Sequence, residues 1–268
     1  MPKVLLRKPY ERHARPVPTG VFDMKGVVLA GGSGSRLSPL TLVTNKHLLP
    51  VYDEPMIFKP LKLLVNTGIT EIQMVIGGNG VGDIVKICGS GSSMGARLSY
   101  VHQDRPGGIA EALRLTKDFS AGEPVIVILG DNVFEDDISP YLKIFEKDTE
   151  ICHLFLTESE EPHRFGVAEL ASDGSVLGIE EKPKQPKSNK VVTGLYFYPA
   201  DIYDTIDWVE KNVGYSGRNE LEITDVNNYY VRSKRCKAHV LDGFWSDAGT
   251  FPTLLRSANF IAQKKQSD

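Results

Sequence analysis

One stretch, KGVVLAGGSGSRLSPLTLVTNKHLLP from Lys25 to Pro50, constrains the fold more than any other. Lys25 to Ala30 reads as a short, buried strand. It runs directly into Gly31, Gly32 and Gly34, interleaved with Ser33 and Ser35 and followed by Arg36. Glycine lacks a Cβ, so such a loop can adopt left-handed backbone and turn successive N–H groups towards an anion. Arg36 and, further on, Lys46 add the full positive charge that a polyphosphate needs. Two familiar phosphate loops do not fit. A dinucleotide fingerprint through Gly32 and Gly34 needs a third glycine where Leu37 stands, and Pro39 disfavours a helical Ser38. The P-loop ending Gly-Lys-Ser/Thr occurs nowhere in the chain. The loop is thus an anion cradle of neither kind.

Downstream, apolar strands alternate with short helices, the pattern of a mostly parallel α/β sheet whose chemistry lies at the carboxyl ends of its strands. Pro55 to Gly68 has near-helical apolar spacing and ends on a glycine. Ile72 to Ile76 reads as a strand, Val81 to Cys88 as a helix and Leu98 to Val101 as a strand. Gln103 precedes Gly107 and Gly108, which open a helix carrying Ile109, Leu113 and Phe119. An amide beside a helix N-terminus suits a planar hydrogen-bonding group such as a nucleobase, and the same residues also suit a plain loop and cap. Val125 to Leu129 is the most apolar run and reads as the central strand, ending in Gly130, Asp131 and Asn132. An aspartate there can hold magnesium against a substrate phosphate, or simply cap a turn.

From Ile151 the texture changes to shorter alternating strands, expected to form an antiparallel or mixed region laid against the first sheet. Glu180, Glu181 and Lys182 end a strand before Pro183. Val191 to Tyr198 is a strand interrupted at Gly194, as when a ligand or another backbone comes close. Asn219 to Tyr230 reads as a helix with an asparagine cap, preceded by Arg218. Thr250 to Gln263 reads as the last helix, and Asp247, between Trp245 and Gly249, is a second candidate carboxylate for a metal.

The net charge of −3 argues against a general nucleic-acid binder, so anionic substrates need a local basic site. Cys88, Cys152 and Cys236 form no C-x-x-C pair and fit a reduced, cytoplasmic protein. No apolar run is long enough to span a membrane. The six histidines show no metal-ligand spacing, and no nucleophile has a recognisable partner. Residues 1–23 stand apart as a basic, proline-rich extension, with Met24 as an alternative start. Residues 24–268 read as a single domain whose texture differs between a part over about 24–135 and a part over about 150–250.

Taken together, LAGGSGSRLSPLT, NKHLLPVYDEPMI, LGDN, IEEKP with VVTGLYFY, and ELEITDVNNYY with WSDAGT resemble the sugar-1-phosphate nucleotidyltransferases. The resemblance implies a Rossmann-like, mixed but mostly parallel sheet flanked by helices, of the glycosyltransferase-A-like kind, with a smaller antiparallel sugar-binding region. It implies magnesium-dependent transfer of a nucleotidyl group from dTTP to glucose 1-phosphate, giving dTDP-glucose and pyrophosphate. UTP or another hexose 1-phosphate is the near alternative, and a catalytically silent nucleotide-sugar-binding subunit is the alternative of another class.

By the same resemblance Arg36, Lys46 and Asp131 are catalytic. Leu29, Gly31, Gly32, Gly34 and Ser35 hold the nucleotide, with Gln103 and Gly108 on the base. Gly166, Glu181, Lys182, Val192 and Arg218 form the sugar-phosphate pocket, and Asp131 and Asp247 are the magnesium carboxylates. A homo-oligomer, tetramer or dimer, is also implied. His47 stands where longer members often have glutamine, and Phe165 stands where a tyrosine is usual. The chain ends soon after WSDAGT, which implies a form without the C-terminal extension associated with product feedback.

Overall fold

The computed structural model describes residues 24–267, so the basic segment 1–23 lies outside the described residues. Strand β1 (Lys25–Ala30) is buried along its whole length. A minimal hairpin, β2 (Pro50–Val51) with β3 (Glu54–Pro55), leads into α1 (Phe58–Asn66). Pairing of Glu54 and Pro55 with the preceding strand delays the helix to Phe58, later than the apolar spacing suggested. Then come β4 (Glu71–Ile76), α2 (Val81–Cys88) and β5 (Arg97–His102).

The expected helix after Gly108 is broken into α3 (Ile109–Arg114) and α4 (Lys117–Ser120). Between them the fully buried Thr116 turns its hydroxyl back to the Leu113 carbonyl at 2.7 Å and bonds the Tyr203 hydroxyl at 2.9 Å. Such back-bonding offers the backbone an alternative to the helical ladder. There follow β6 (Val125–Leu129), β7 (Asn132–Phe134), α5 (Ser139–Phe145), β8 (Cys152–Glu158), β9 (Gly166–Leu170), β10 (Val176–Glu181) and β11 (Lys190–Tyr198). The chain closes with α6 (Ile202–Asn212), α7 (Ile223–Arg232), β12 (Cys236–Val240), β13 (Trp245–Asp247) and α8 (Phe251–Ser267).

Helix α7 starts at Ile223, not at Asn219. Asn219 is left-handed, with φ of 59°, and Leu221 is held in extended pairing with the loop before α3, so residues 219–222 cannot be helical.

One mixed sheet runs in the order β10-β9-β11-β6-β1-β4-β5, with β8 pairing β11 and β12. β1 lies parallel to both β4 and β6, and β5 parallel to β4. The antiparallel region was expected to lie against this sheet; instead β11 pairs directly with β6 and continues it. The reason is that β6, with β1 on one side, otherwise leaves a buried edge of unpaired N–H and C=O groups. Alternate residues face opposite layers. Val27, Val127, Tyr196 and Tyr198 pack with Ile206 and Val226 on the α6/α7 side. Val28, Ile126, Ile128 and Phe197 pack with Leu61, Ile84 and Phe145 on the other. Both faces are therefore covered, which is why β1 and β6 read as continuous apolar runs.

After β1 the chain passes to β4 and β5 on one side, then returns to β6 on the other. This places a topological switch between β1 and β6, where the strands' carboxyl ends leave a crevice for ligands. Among the described residues no helix is long and apolar enough to cross a membrane.

A buried imidazole pair ties the far edge of the sheet together: His239 Nε2 lies 3.1 Å from His153 Nδ1 on neighbouring strands. Burial first, then neighbouring positive charge, pushes His153 down to about 3 and His239 down to about 4 from the ordinary 6.5. In the unfolded chain both protonate near 6.5, so this stability is complete above that pH and is lost as pH falls towards 4. At about 1.4 kcal/mol per pH unit and group, this pair contributes roughly 3 kcal/mol to the stability that urea unfolding should lose between pH 6.5 and pH 5.0, and His47, pushed down to about 3 by burial, adds to the same loss. A loss well below 1 kcal/mol would contradict the neutral pair.

Candidate active site

A cavity of about 640 Å³ opens at the switch between β1 and β6. Its lining includes every residue given a site role by the resemblance except Gly34: Leu29, Gly31, Gly32, Ser35, Arg36, Lys46, Gln103, Gly108, Asp131, Gly166, Glu181, Lys182, Val192, Arg218 and Asp247. Gly34 lies outside that lining, with φ of 67°. A Cβ there would meet the Lys46 Cβ at 2.8 Å and the Thr41 Cγ2 at 2.9 Å. The glycine loop is therefore glycine-rich partly to let the lysine lie across it.

Lys46 is aimed by its neighbour. Asn45 caps the turn Lys46–Leu48 by accepting from the His47 N–H, while its amide donates to the carbonyls of Gly77 at 3.1 Å and Asn79 at 2.8 Å. The lysine Nζ then donates to Asp131 Oδ2 at 2.7 Å. His47 itself faces inward beneath Gly130, 1% exposed and bonded to Asn45 at 2.8 Å. It does not line the cavity.

Asp131 follows β6 and is fixed from both sides. The Asn132 amide donates to its Oδ1 at 2.9 Å, and the Asn132 oxygen in turn accepts from the Trp245 indole at 2.7 Å and the Gly194 N–H at 3.0 Å. The close neighbours that Gly194 admits are thus the Leu129 and Asn132 side chains. Burial acts to raise the Asp131 pKa, but the Lys46 ammonium and the Asn132 bond outweigh it and hold the carboxyl well below its usual range.

Asp247 reaches the same place because β13 pairs with β7, matching Asp247 to Asn132, and Ala248 N–H donates to the Asp131 carbonyl at 2.8 Å. Burial first, then the Asp131 charge, raises Asp247 to about 6, against the lowering pull of Arg164, Arg36 and Lys46. Two carboxylates are therefore held close enough to repel each other, each with a side chain only 13% exposed.

At one end of the cavity Gln103, 8% exposed, lies over Gly31 and donates to the Gly108 carbonyl at 3.5 Å. Gly108 has φ of 101°, and a Cβ there would strike the Leu221 carbonyl oxygen at 2.5 Å. Leu221 pairs with this loop, donating to the Gly107 carbonyl and accepting from Ala110 N–H. At the other end Glu181 accepts from Thr224 Oγ1 at 2.6 Å, Lys182 Nζ lies 3.1 Å from Glu181, and Arg218 pairs with Glu222 at 2.8 Å. Lys182 has φ of 46°, a conformation rare for a residue with a side chain.

Sequence reasoning gave no role to Asn132 and Trp245, although both flank the chosen aspartates, and it missed Thr224 and Arg164. No local signal marks Arg164: its place beside Asp247 follows only from the tertiary fold.

The model of the nucleotidyl transferase family matches residues 25–264, and the chain belongs to that family and is a nucleotidyltransferase. Its curated relatives include glucose-1-phosphate thymidylyltransferases. That of Actinoplanes sp. is 40% identical over 241 residues, covering 89% of this chain and 78% of the relative. That of Mycobacterium tuberculosis is 39% identical, covering 89% and 82%. A solved Bacillus anthracis structure, provisionally named a glucose-1-phosphate thymidylyltransferase and holding a sucrose, aligns with a TM-score of 0.83. It is 44% identical and covers 88% of this chain and 94% of that one. A UDP-glucose pyrophosphorylase complexed with UDP-glucose shares the fold at 23% identity and a TM-score of 0.77, covering 90% and 99%.

Proposed function

We propose that the chain transfers a thymidylyl group from dTTP to glucose 1-phosphate, releasing pyrophosphate and giving dTDP-glucose. The observation that carries this is a single cavity in which the glycine loop with Arg36 and Lys46, the Asp131–Asp247 pair, and Lys182 with Arg218 all line one continuous surface. The identity to thymidylyltransferases favours this base and sugar. In this reading residues 24–135 hold the nucleotide and residues 150–250 the sugar phosphate.

The triphosphate lies on Gly31, Gly32 and Ser35 with Arg36 and Lys46 on its phosphates. Leu29, Gln103 and Gly108 take the base. Glu181, with Gly166 and Val192, takes sugar hydroxyls. Lys182 and Arg218 take the sugar phosphate, displacing the carboxylates that occupy them in the free protein. A phosphate oxygen of glucose 1-phosphate attacks the α-phosphorus as the bond to pyrophosphate breaks on the opposite side. Positioning and charge neutralisation are the protein's contribution, and no covalent enzyme intermediate is formed.

Asp131 and Asp247 fit magnesium: hard oxygen donors, only two of them, leave room for phosphate and water. The repulsion from Asp131 that helps raise Asp247 is one that a bound divalent cation would relieve. When bound, magnesium neutralises charge on the reacting phosphates.

Pyrophosphate release with glucose 1-phosphate and magnesium, compared across dTTP, UTP, CTP, GTP and ATP, is expected to be fastest with dTTP. Equal or faster release with UTP would keep the reaction and overturn the base. Gly108→Ala is expected to raise the KM for dTTP about tenfold, because its left-handed φ and the Leu221 backbone leave no room for a Cβ. A KM within twofold of wild type would remove Gly108 from the base site. A homo-oligomer belongs to the same reading and is tested by light scattering of the purified protein.

A further inference from the structure

Three cations face the two carboxylates of the site, and only two of them were marked by the sequence. Lys46 lies on Asp131 at 2.7 Å. Asp247 Oδ2 lies between two guanidinium groups, Arg164 Nη2 at 3.4 Å and Arg36 Nη2 at 3.9 Å.

The two arginines are held differently. The Arg36 side chain is 59% exposed on the short turn after the glycine loop, free to track a phosphate. The Arg164 side chain is 19% exposed and braced: its Nη1 donates to Glu161 Oε2 at 2.7 Å, and its guanidinium lies over the Phe165 ring at 5.3 Å. Phe165 in turn meets Trp245 edge-on at 5.3 Å, two residues before Asp247 on the same short strand. Arg164 thus shares one packed unit with the strand that carries Asp247, joined through both ring contact and charge.

We propose that Arg164 is a positioning residue for Asp247, holding its carboxylate beside Asp131 in the substrate-free protein and occupying the oxygen that a divalent cation takes during turnover. This rests on the reading of Asp131 and Asp247 as the metal carboxylates. Arg36 moves onto the triphosphate. Arg164, anchored by Glu161 and Phe165, yields that oxygen to the cation but remains beside Asp247 and keeps the carboxylate from turning away once Arg36 has left. A planar, forked donor suits this role because one face can stack on Phe165 while separate N–H groups reach Glu161 and Asp247.

Removing the charge while keeping a polar side chain has two opposed consequences. In Arg164→Gln the competitor for the Asp247 oxygen is gone, so Mn2+, standing in for magnesium, should bind the substrate-free protein about tenfold tighter. Turnover at saturating magnesium should fall about tenfold, with the KM for glucose 1-phosphate within twofold, because Asp247 is less well aimed. Arg164→Lys keeps the charge and should leave Mn2+ affinity within about twofold of wild type.

The experiment titrates Mn2+ into the full chain without nucleotide, reading free Mn2+ by electron paramagnetic resonance, for wild type, Arg164→Gln, Arg164→Lys and Asp247→Asn. Thermal melts establish that each variant is folded. Tighter binding in Arg164→Gln alone, with slower turnover, bears out the proposal. Unchanged or weaker Mn2+ binding in Arg164→Gln, while Asp247→Asn weakens it, overturns the role of Arg164 and leaves the metal site standing. Equal binding by wild type and Asp247→Asn overturns the metal site and the role of Arg164 together.

Discussion

Asp131→Asn is expected to reduce magnesium-dependent turnover about a thousandfold or more while leaving the fold intact. The substitution keeps the shape of the side chain, so the contacts that place residue 131, the Ala248 N–H on its carbonyl and the β6 strand before it, are unaffected. The loss is a full negative charge on a buried oxygen, 2.7 Å from Lys46 and close enough to Asp247 to raise the latter's pKa. The same substitution lets Asp247 ionise at lower pH, because a repelling neighbour has gone. The check is pyrophosphate release over a magnesium series, with circular dichroism and a thermal melt on the same sample. Turnover within tenfold of wild type would remove Asp131 from the metal site.

Lys46→Gln is the second large effect, a fall in kcat of about a hundred- to a thousandfold. Lys46 is 13% exposed at the side chain, spans the glycine loop and ends on Asp131, so it is already desolvated and aimed before substrate arrives. Such preorganisation makes a charge more effective against developing phosphate charge than a mobile surface lysine. Its loss also leaves Asp131 without the partner that holds its carboxyl ionised, so the acid limb of the pH profile should move to higher pH. Steady-state kinetics from pH 5 to 9 with saturating substrates would read both effects. A variant with normal kcat and only a raised KM for dTTP would make Lys46 a binding residue outside the transition state.

The route from sequence to site ran through the strand ends. Val125 to Leu129 and Lys25 to Ala30 are apolar on both faces, which announces strands covered on two sides, and each gives way to glycine and polar residues that cannot continue the run. Asp131 and the glycine loop were therefore legible.

Asn219 was misread because an asparagine before acids looks like a helix cap, whereas the pairing of Leu221 with Gly107 and Ala110 is a contact between distant parts of the chain. The continuity of β11 with β6 was hidden for the same reason: backbone pairing between distant strands leaves no mark on either one. Arg164 ends the short turn Pro162–Arg164 just before β9, in a segment whose spacing carries no period, and its partner Asp247 lies 83 residues further along the chain.

The central claim is direct attack of the sugar phosphate on the α-phosphorus, within one cavity and without a covalent enzyme intermediate. Exchange of labelled pyrophosphate into dTTP, measured with and without glucose 1-phosphate in the presence of magnesium, tests it most directly. Label entering dTTP only when glucose 1-phosphate is present is the expected result. Exchange with dTTP and pyrophosphate alone would mean that the enzyme itself takes the thymidylyl group, and would contradict the account.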